Sequence, residues 1–313
     1  MKKIITLTIL LLLSLVACEE DQNGTPVVPK DRLSSIPADI VKITPQSDPL
    51  PPKLHSDEFE EPVQVPIIST AGAEDSPFFP ANSDDFYFFF TPDSSIEAQY
   101  QLTDGVTGIW MSKRVNGVFQ KPQRVMLQDK GKLALDGCPF VSGNTMLVCS
   151  AREGYAGIQW VRADFVGGKW TNWRVDNFKE EHKVGELHIH GDELYFHSDR
   201  PGTKGETDIW VSKRVGGEWQ EPVNIEVVNT EKGEGMPYIS ANGNELWYHS
   251  WYQGAPAIFR SNKVNGEWQE PELIVERFAA EPTFDTDGNL YFAHHFIIDG
   301  KIAEADIYVA KKK

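Results

Sequence analysis

The chain has 313 residues with 30 basic against 46 acidic side chains, a formal net charge of −16. Such a chain offers no basic footprint for DNA, RNA or anionic lipid, so nucleic acid is excluded as its main partner. Only three cysteines are present, and no Cys-x-x-Cys spacing or partnered histidine points to a zinc site or a thiolate catalyst.

In chain order, Lys2 and Lys3 precede an unbroken apolar stretch from Ile4 to Leu13, followed by Leu15–Val16–Ala17–Cys18. A short apolar core behind a basic start predicts a signal peptide over residues 1–17 rather than a membrane span. The Leu-Val-Ala-Cys ending resembles a bacterial lipobox, which implies that Cys18 is lipidated and anchors the chain to a membrane. The alternative is an ordinary signal with an incidental cysteine. The acidic run Glu19–Glu20–Asp21 is similar to the surface-export signal of Bacteroidetes lipoproteins. Together these imply an outer-membrane lipoprotein, periplasmic or surface-exposed. Residues 18–58 are rich in Pro, Ser and Asp without periodicity, and predict a flexible tether.

The remainder, residues 59–313, repeats one unit. Its clearest copy is Gly185–Pro222, with the strands LYFHS and DIWVSKR and a turn into EWQEP. Short runs rich in Tyr, Trp, Ile and Val, bounded by Gly, Asp or Pro, read as strands. A second copy holds Asn242–Ser250, Ile258–Lys263 and Glu267–Pro271, and Trp170, Trp219 and Trp268 follow one another at intervals of 49 residues. Met146–Ser150 with Ile158–Arg162 make another copy, and Asp85–Phe90, Gly108–Arg114 and Phe119–Pro122 a longer one. The last copy, Leu290–Phe292 and Asp306–Ala310, ends without its fourth strand, while Phe59–Pro62 and Val63–Ile68 supply such a strand at the other end. These halves predict an all-β, five-bladed β-propeller closed by the N-terminal strand completing the last blade, which removes open sheet edges.

The DxWVSKRxxGxWxEP and LYFxSDRPG strings resemble the WD40-like (PD40, TolB-type) propeller repeats of bacterial envelope proteins, over roughly residues 59–313. The resemblance implies repeat type; such propellers serve as enzymes, binding modules and scaffolds alike.

In a propeller the first strand of each blade is innermost, so its opening residues ring the central channel. Those openings are Glu74–Pro77, Asp136–Pro139, Gly185–His188, Glu234–Pro237 and Glu281–Pro282, and each carries a carboxylate. Close carboxylates raise one another's pKa values. Asp75, Asp136 and Glu186 fall on successive blades, an order similar to five-bladed arabinanase and xylosidase glycoside hydrolases. That similarity implies Asp75 as the base activating water, Asp136 as the tuning group and Glu186 as the acid, an inverting arrangement with the outer pair about 6.5–9.5 Å apart. Glu234, Glu281, His188, His249 and Trp251 are the candidate substrate-binding residues. His188 and His190 share a strand face, which brings one beside Glu186; Trp247 and Trp251, with Tyr252, flank His249 and break the repeat as a sugar-stacking surface would, core packing being the alternative. Several histidines among several carboxylates also form a donor set for a divalent cation in the channel, although their spacings match no compact ligand motif. Cys138 and Cys149 flank a hairpin turning at Gly143–Asn144, which favours a cross-strand disulfide in an oxidising envelope, two buried free thiols being the alternative. The insertion Thr91–Thr103 and the loop Asp104–Gly108 are expected over one mouth of the channel. Two functions remain open: a surface glycosidase, or a non-catalytic propeller binding a glycan, peptide or envelope protein.

Overall fold

The computed structural model describes residues 30–313 apart from 130 and 177, together with the short paired strands Glu19–Glu20 and Pro26–Val27. The expected signal peptide and Cys18 lie outside the described residues. Among the described residues, no helix is long and apolar enough to cross a membrane.

The chain is nearly all-β and folds as antiparallel sheets of four, five, six and nine strands, beside the isolated N-terminal pair. The strands run as consecutive meanders, two of which share the nine-stranded sheet. The first is Ala73–Phe78, Asp85–Thr91, Gly108–Val115 and Gln123–Arg124; the second is Ala134–Ser142, Thr145–Arg152, Ile158–Val166 and Lys169–Val175. The third starts at Leu187–His190, the fourth at Gly235–Ile239 and the last at Ala279–Phe284. The last meander takes its outer strand from the N-terminal side, where Val63–Gln64 pairs with Tyr308–Val309. A single parallel pairing, Ala305 with Ala73, links this last meander to the first and makes the nine-stranded sheet.

The strands form because both of their faces are covered. In Asp85–Thr91, Phe86, Phe88 and Phe90 are fully buried against Phe79, Ile68, Tyr291 and Ile307, while Tyr87 packs the other way among Phe78, Val125, Phe140 and Leu147. A strand with two buried faces reads as a continuous apolar run, as DFYFFF does. The repeated WVSKR…EWQEP string has its own physical reason. Ser112, Ser212 and Ser261 each donate to the carbonyl of the following Gln120, Gln220 or Gln269, closing the outer hairpin. A cation then lies on the hairpin's tryptophan: Arg214 is 5.2 Å from the Trp219 ring and Lys263 4.9 Å from that of Trp268.

Residues 30–58, expected as part of a flexible tether, are instead fixed against the sheets. Arg32 is buried: Nη1 donates to the Ile68 carbonyl (2.8 Å) and Glu74 Oε1 (3.1 Å), and the guanidinium lies 5.2 Å from the rings of Phe88 and Phe90. Further along, Lys42 pairs with Glu304 and Asp306, and Asp48 Oδ2 stands 2.9 Å from His294 Nε2. Lys53–Leu54 then adds a strand to the outer edge of the fourth meander, on Val275–Glu276. Composition misled here because the segment packs through isolated charged side chains, not an apolar stripe. The insertion after Thr91 is likewise folded: Asp104 Oδ1 accepts the amides of Val106 and Thr107, both at 2.7 Å, and Lys30 donates to the Asp104 carbonyl.

Replacing Arg32 by Ala leaves the Glu74 carboxyl buried without its cation. Urea unfolding should show a loss of about 3 kcal/mol, whereas Lys121→Ala, at an exposed pair with Asp31, should change little.

Candidate functional site

The inner strands share one local device. The residue before the proline in the first, second, fourth and last openings has positive φ: Ser76 (48°), Cys138 (50°), Met236 (53°) and Glu281 (59°). At each of these the ladder slips, between Asp75 and Phe78, Gly137 and Phe140, Gly235 and Tyr238, and Ala280 and Thr283. Such a β-bulge re-aims a side chain, and positive φ at non-glycine residues is a strain that surrounding structure must hold. The third meander has Glu186–Leu187 in place of the proline pair and continues without a slip. Ser76, Cys138, Glu186, Met236 and Glu281 consequently line one cavity of about 50 Å³.

Aromatic rings form part of the cavity's lining. His188 stands 6.0 Å from the ring of Phe78, 5.2 Å from Phe140 and 4.7 Å from Tyr238. Burial, helped by His190, pushes His188 down to about 3, so it packs as a neutral ring. It lines the cavity with Glu186 and Glu281, as a neutral ring among aromatic neighbours.

The carboxylates expected in the channel divide into two groups. Asp75, Glu186 and Glu281 come together. Glu281 accepts the Ser76 amide at 2.7 Å and the Ser76 hydroxyl at 3.0 Å, and is hydrogen-bonded to Asp75. Asp75 also accepts the Ser76 amide at 3.1 Å and faces His295 Nε2 at 3.4 Å. Asp136 and Glu234 do not join them. Fully buried, Asp136 is held by Arg152 Nη2 at 2.9 Å and Ser150 Oγ at 2.6 Å. Glu234 accepts the Thr230 amide (2.9 Å) and hydroxyl (2.7 Å) and the Ser250 hydroxyl (2.6 Å). Both stand two residues before the bulged position, as Glu74 does, and it is the residue next to proline that lines the cavity. The trio Asp75, Asp136 and Glu186 is thus not assembled, since Asp136 is locked into its own sheet.

Burial pushes the Asp75 carboxyl up, but the His295 charge, hydrogen bonds to Glu281 and His295, and the Ser76 amide outweigh it and hold Asp75 well below the usual carboxylate range. Burial and the Asp75 charge push Glu186 up to about 7, against a hydrogen bond from Cys138. Glu281 is raised well above its ordinary value by burial, by the Asp75 charge and by the shared hydrogen bond, with Glu186 adding to it. His295 loses charge stability to burial yet is raised overall because Asp75 faces it. The cluster thus pairs a carboxyl held toward its ionised form, Asp75 facing His295, with two pushed toward their neutral form, Glu281 and Glu186, the latter titrating at about 7.

The remaining candidates sit around this centre. His249 lies against Gly235, its Nδ1 buried without a partner, and burial brings it to about 4. His197 lies against Gly185 in the same way, and the space is so tight that a Cβ on Gly185 would be 2.4 Å from its ring. Trp251 is 42 % exposed, two residues beyond His249 on the same strand. The expected disulfide is not formed: Cys138 and Cys149 are free thiols. The bulge sets Gly137, not Cys138, opposite Cys149 and displaces Cys138 along the strand. Among the described residues, no group of three or more His, Cys, Asp or Glu side chains is placed to hold a metal ion. Ser76 and the pairing of His295 with Asp75 escaped the sequence reading; the repeated X-Pro pairs were the available signal for the first.

No protein-family model matches the chain, and no curated protein is similar to it at a significant level. Solved structures are similar at low identity. They include TolB from Acinetobacter baumannii, with a TM-score of 0.47 and 13 % identity over 79 % of this chain and 56 % of that one. A Bacteroides ovatus xyloglucan-locus GH43B gives 0.46 and 14 % over 80 % and 54 %. An endo-arabinase from Bacteroides thetaiotaomicron gives 0.48 and 13 % over 82 % and 98 %. The chain spans about half the length of the first two. Both kinds of protein that the repeat strings and the carboxylate order resemble are thus among the similar structures. At these TM-scores the likeness says nothing of activity.

Two outcomes follow from the geometry. Gly185→Ala should lower stability by about 1–3 kcal/mol in urea unfolding, because neither the His197 ring nor its carbonyl can give way. A raised carboxyl binds its proton more tightly folded than unfolded, so Glu186 costs stability progressively as pH rises from its unfolded value toward 7 and beyond. Glu186→Gln should therefore raise Tm at pH 8 and leave it nearly unchanged at pH 5, read by calorimetry at the two values.

Proposed function

We propose that the chain is a five-bladed β-propeller, its last blade completed by Val63–Gln64, that is held at the cell envelope through a lipidated Cys18 and binds a glycan at the mouth of its axis without cleaving it. The observation that carries this reading is the size and shape of the axial cavity. At about 50 Å³, it has room for little more than one or two waters. Sites that enclose a small molecule are about 300 Å³ or larger. A sugar ring and an in-line water do not fit together inside it. The exposed Trp251 indole, two residues beyond His249 on the same strand, offers a flat apolar face that suits a sugar's C–H face.

One observation favours inverting hydrolysis as a second reading. Asp75 is held ionised while Glu186 is pushed toward neutrality, the separation of roles that an acid and a base require. Against it, Asp136 is unavailable to tune the acid.

Titration calorimetry of the purified chain against a panel of soluble polysaccharides separates the two. The binding reading expects a ligand whose affinity falls about tenfold in Trp251→Ala, with no reducing ends released. Release of reducing ends that disappears in both Asp75→Asn and Glu186→Gln would replace it with hydrolysis. No heat with any polysaccharide would sink the glycan assignment.

A further inference from the structure

We propose that the groove between the third and fourth meanders, around Val211, is a docking site for an arginine side chain of a partner protein. The fold supplies its own template one meander further on. Arg260 is buried there with its guanidinium 5.0 Å from the Trp247 ring. Its Nε donates to Glu272 Oε1 at 2.7 Å, Nη1 to Glu245 Oε1 at 3.4 Å, and Nη2 to Glu58. Strand register identifies the counterparts in the preceding groove. Trp247 pairs with Arg260 as Tyr195 pairs with Val211, and Glu245 and Glu193 each stand two residues before that aromatic residue. Trp247 Nε1 donates to Glu245 Oε2 at 3.3 Å, and the Tyr195 hydroxyl to Glu193 Oε2 at 2.6 Å. Glu58 precedes Phe59, whose ring has Lys312 4.8 Å away; Glu267 precedes Trp268, whose ring has Lys263 4.9 Å away. The aromatic plate and two of the three carboxylates are thus repeated. Valine stands in place of the arginine, and Val223 in place of Glu272.

The shorter side chain leaves room. The groove lined by Val211 is about 720 Å³, against about 260 Å³ for the one that Arg260 lines. Met111 and Arg162 take this place in the first two meanders, and Val309 in the last is buried in one cluster with Phe119 and Tyr291. Four carboxylates line the groove, Glu193, Glu221, Glu226 and Glu267, against the two ammonium groups of Lys213 and Lys263. Both lysines stand 3.8 Å from Glu193, and Glu221 is paired with Arg200. Among the described residues, no cation pairs with Glu226 or Glu267. A planar guanidinium can bond two carboxylates while its face lies on an aromatic ring, which a compact ammonium cannot do. Exposed Val215 and Val223 flank the groove and offer apolar contact to the residues beside that arginine. The groove shares no residue with the axial cavity, so occupation of one leaves the other open.

The experiment titrates the full chain with the capped tripeptide Gly-Arg-Gly, and with its lysine and citrulline counterparts, at low ionic strength. The readout is the NMR signal of the Trp268 indole N–H, assigned with Trp268→Phe. The expected result is a saturable shift with the arginine peptide and an affinity about tenfold lower for citrulline, which keeps the shape but not the charge. Glu267→Gln should weaken the arginine peptide several-fold, and added salt should do the same. Val211→Arg fills the groove from within, so it should abolish the shift and raise Tm. No saturable shift with the arginine peptide, equal binding of the citrulline or lysine peptide, or a shift that survives Val211→Arg in the folded variant would each overturn the proposal. Should Val211→Arg fail to fold, an affinity unmoved by Glu267→Gln overturns it alone. None of these readouts uses a glycan, so a failure of glycan binding is seen separately.

Discussion

Everything at the centre of the molecule depends on one backbone constraint: a residue forced to positive φ immediately before a proline, repeated in four of the five inner strands at Ser76, Cys138, Met236 and Glu281. The residue before proline is pushed away from the right-handed helical region, and an L-residue pays for the left-handed one. A regular strand would alternate its side chains between the two faces and aim none along the axis. The slip at each bulge breaks that alternation and turns one side chain from each strand into a common space. The third strand reaches the same place without proline or slip, through Glu186. The strain is tolerable because the flanking strands are locked on both faces by buried aromatic side chains such as Phe86, Phe88 and Phe90.

That constraint also explains the electrostatics. Five carboxylates at five openings would be a costly ring, since buried like charges cannot all ionise. The fold avoids it by sending Asp136 and Glu234 sideways into hydrogen bonds with Ser150 and Arg152, and with Thr230 and Ser250. Three acids remain. Asp75 is held toward its charged form because His295 faces it, and Glu281 is pushed toward its neutral form by burial and by the Asp75 charge beside it. Glu186, lacking a cation, is left near its midpoint at neutral pH. The difference between these three chemically similar groups lies wholly in what stands next to each.

Much of this was legible in the sequence, and the parts that were not share a cause. The strands announced themselves because each is a short apolar run closed by turn residues. The closing strand could be placed because Val63–Ile68 had no copy of its own and the last copy lacked a member. Side-chain direction at the openings was not legible from period-two alternation, since a bulge adds one residue and reverses the faces beyond it. The same slip separated Cys138 from its expected partner. The course of residues 30–58 was hidden for a different reason. Arg32, Lys42 and Asp48 each bury one polar group against a preformed slot, and a pattern with no period leaves no trace in composition.

The docked segment and the axial cluster meet on one strand. His294 is held by Asp48 from the N-terminal segment, and its neighbour His295 faces Asp75. Alternation sends adjacent residues to opposite faces, so the strand Leu290–Ile298 is gripped from outside through one imidazole and presents the next to the site. Fixing the outer face fixes the inner one, because strands packed on both sides move as rigid units. The histidine pair that reads in the sequence as a single feature therefore divides between two tasks, one structural and one electrostatic. The charge that keeps Asp75 ionised is positioned by a segment whose own sequence looks like linker.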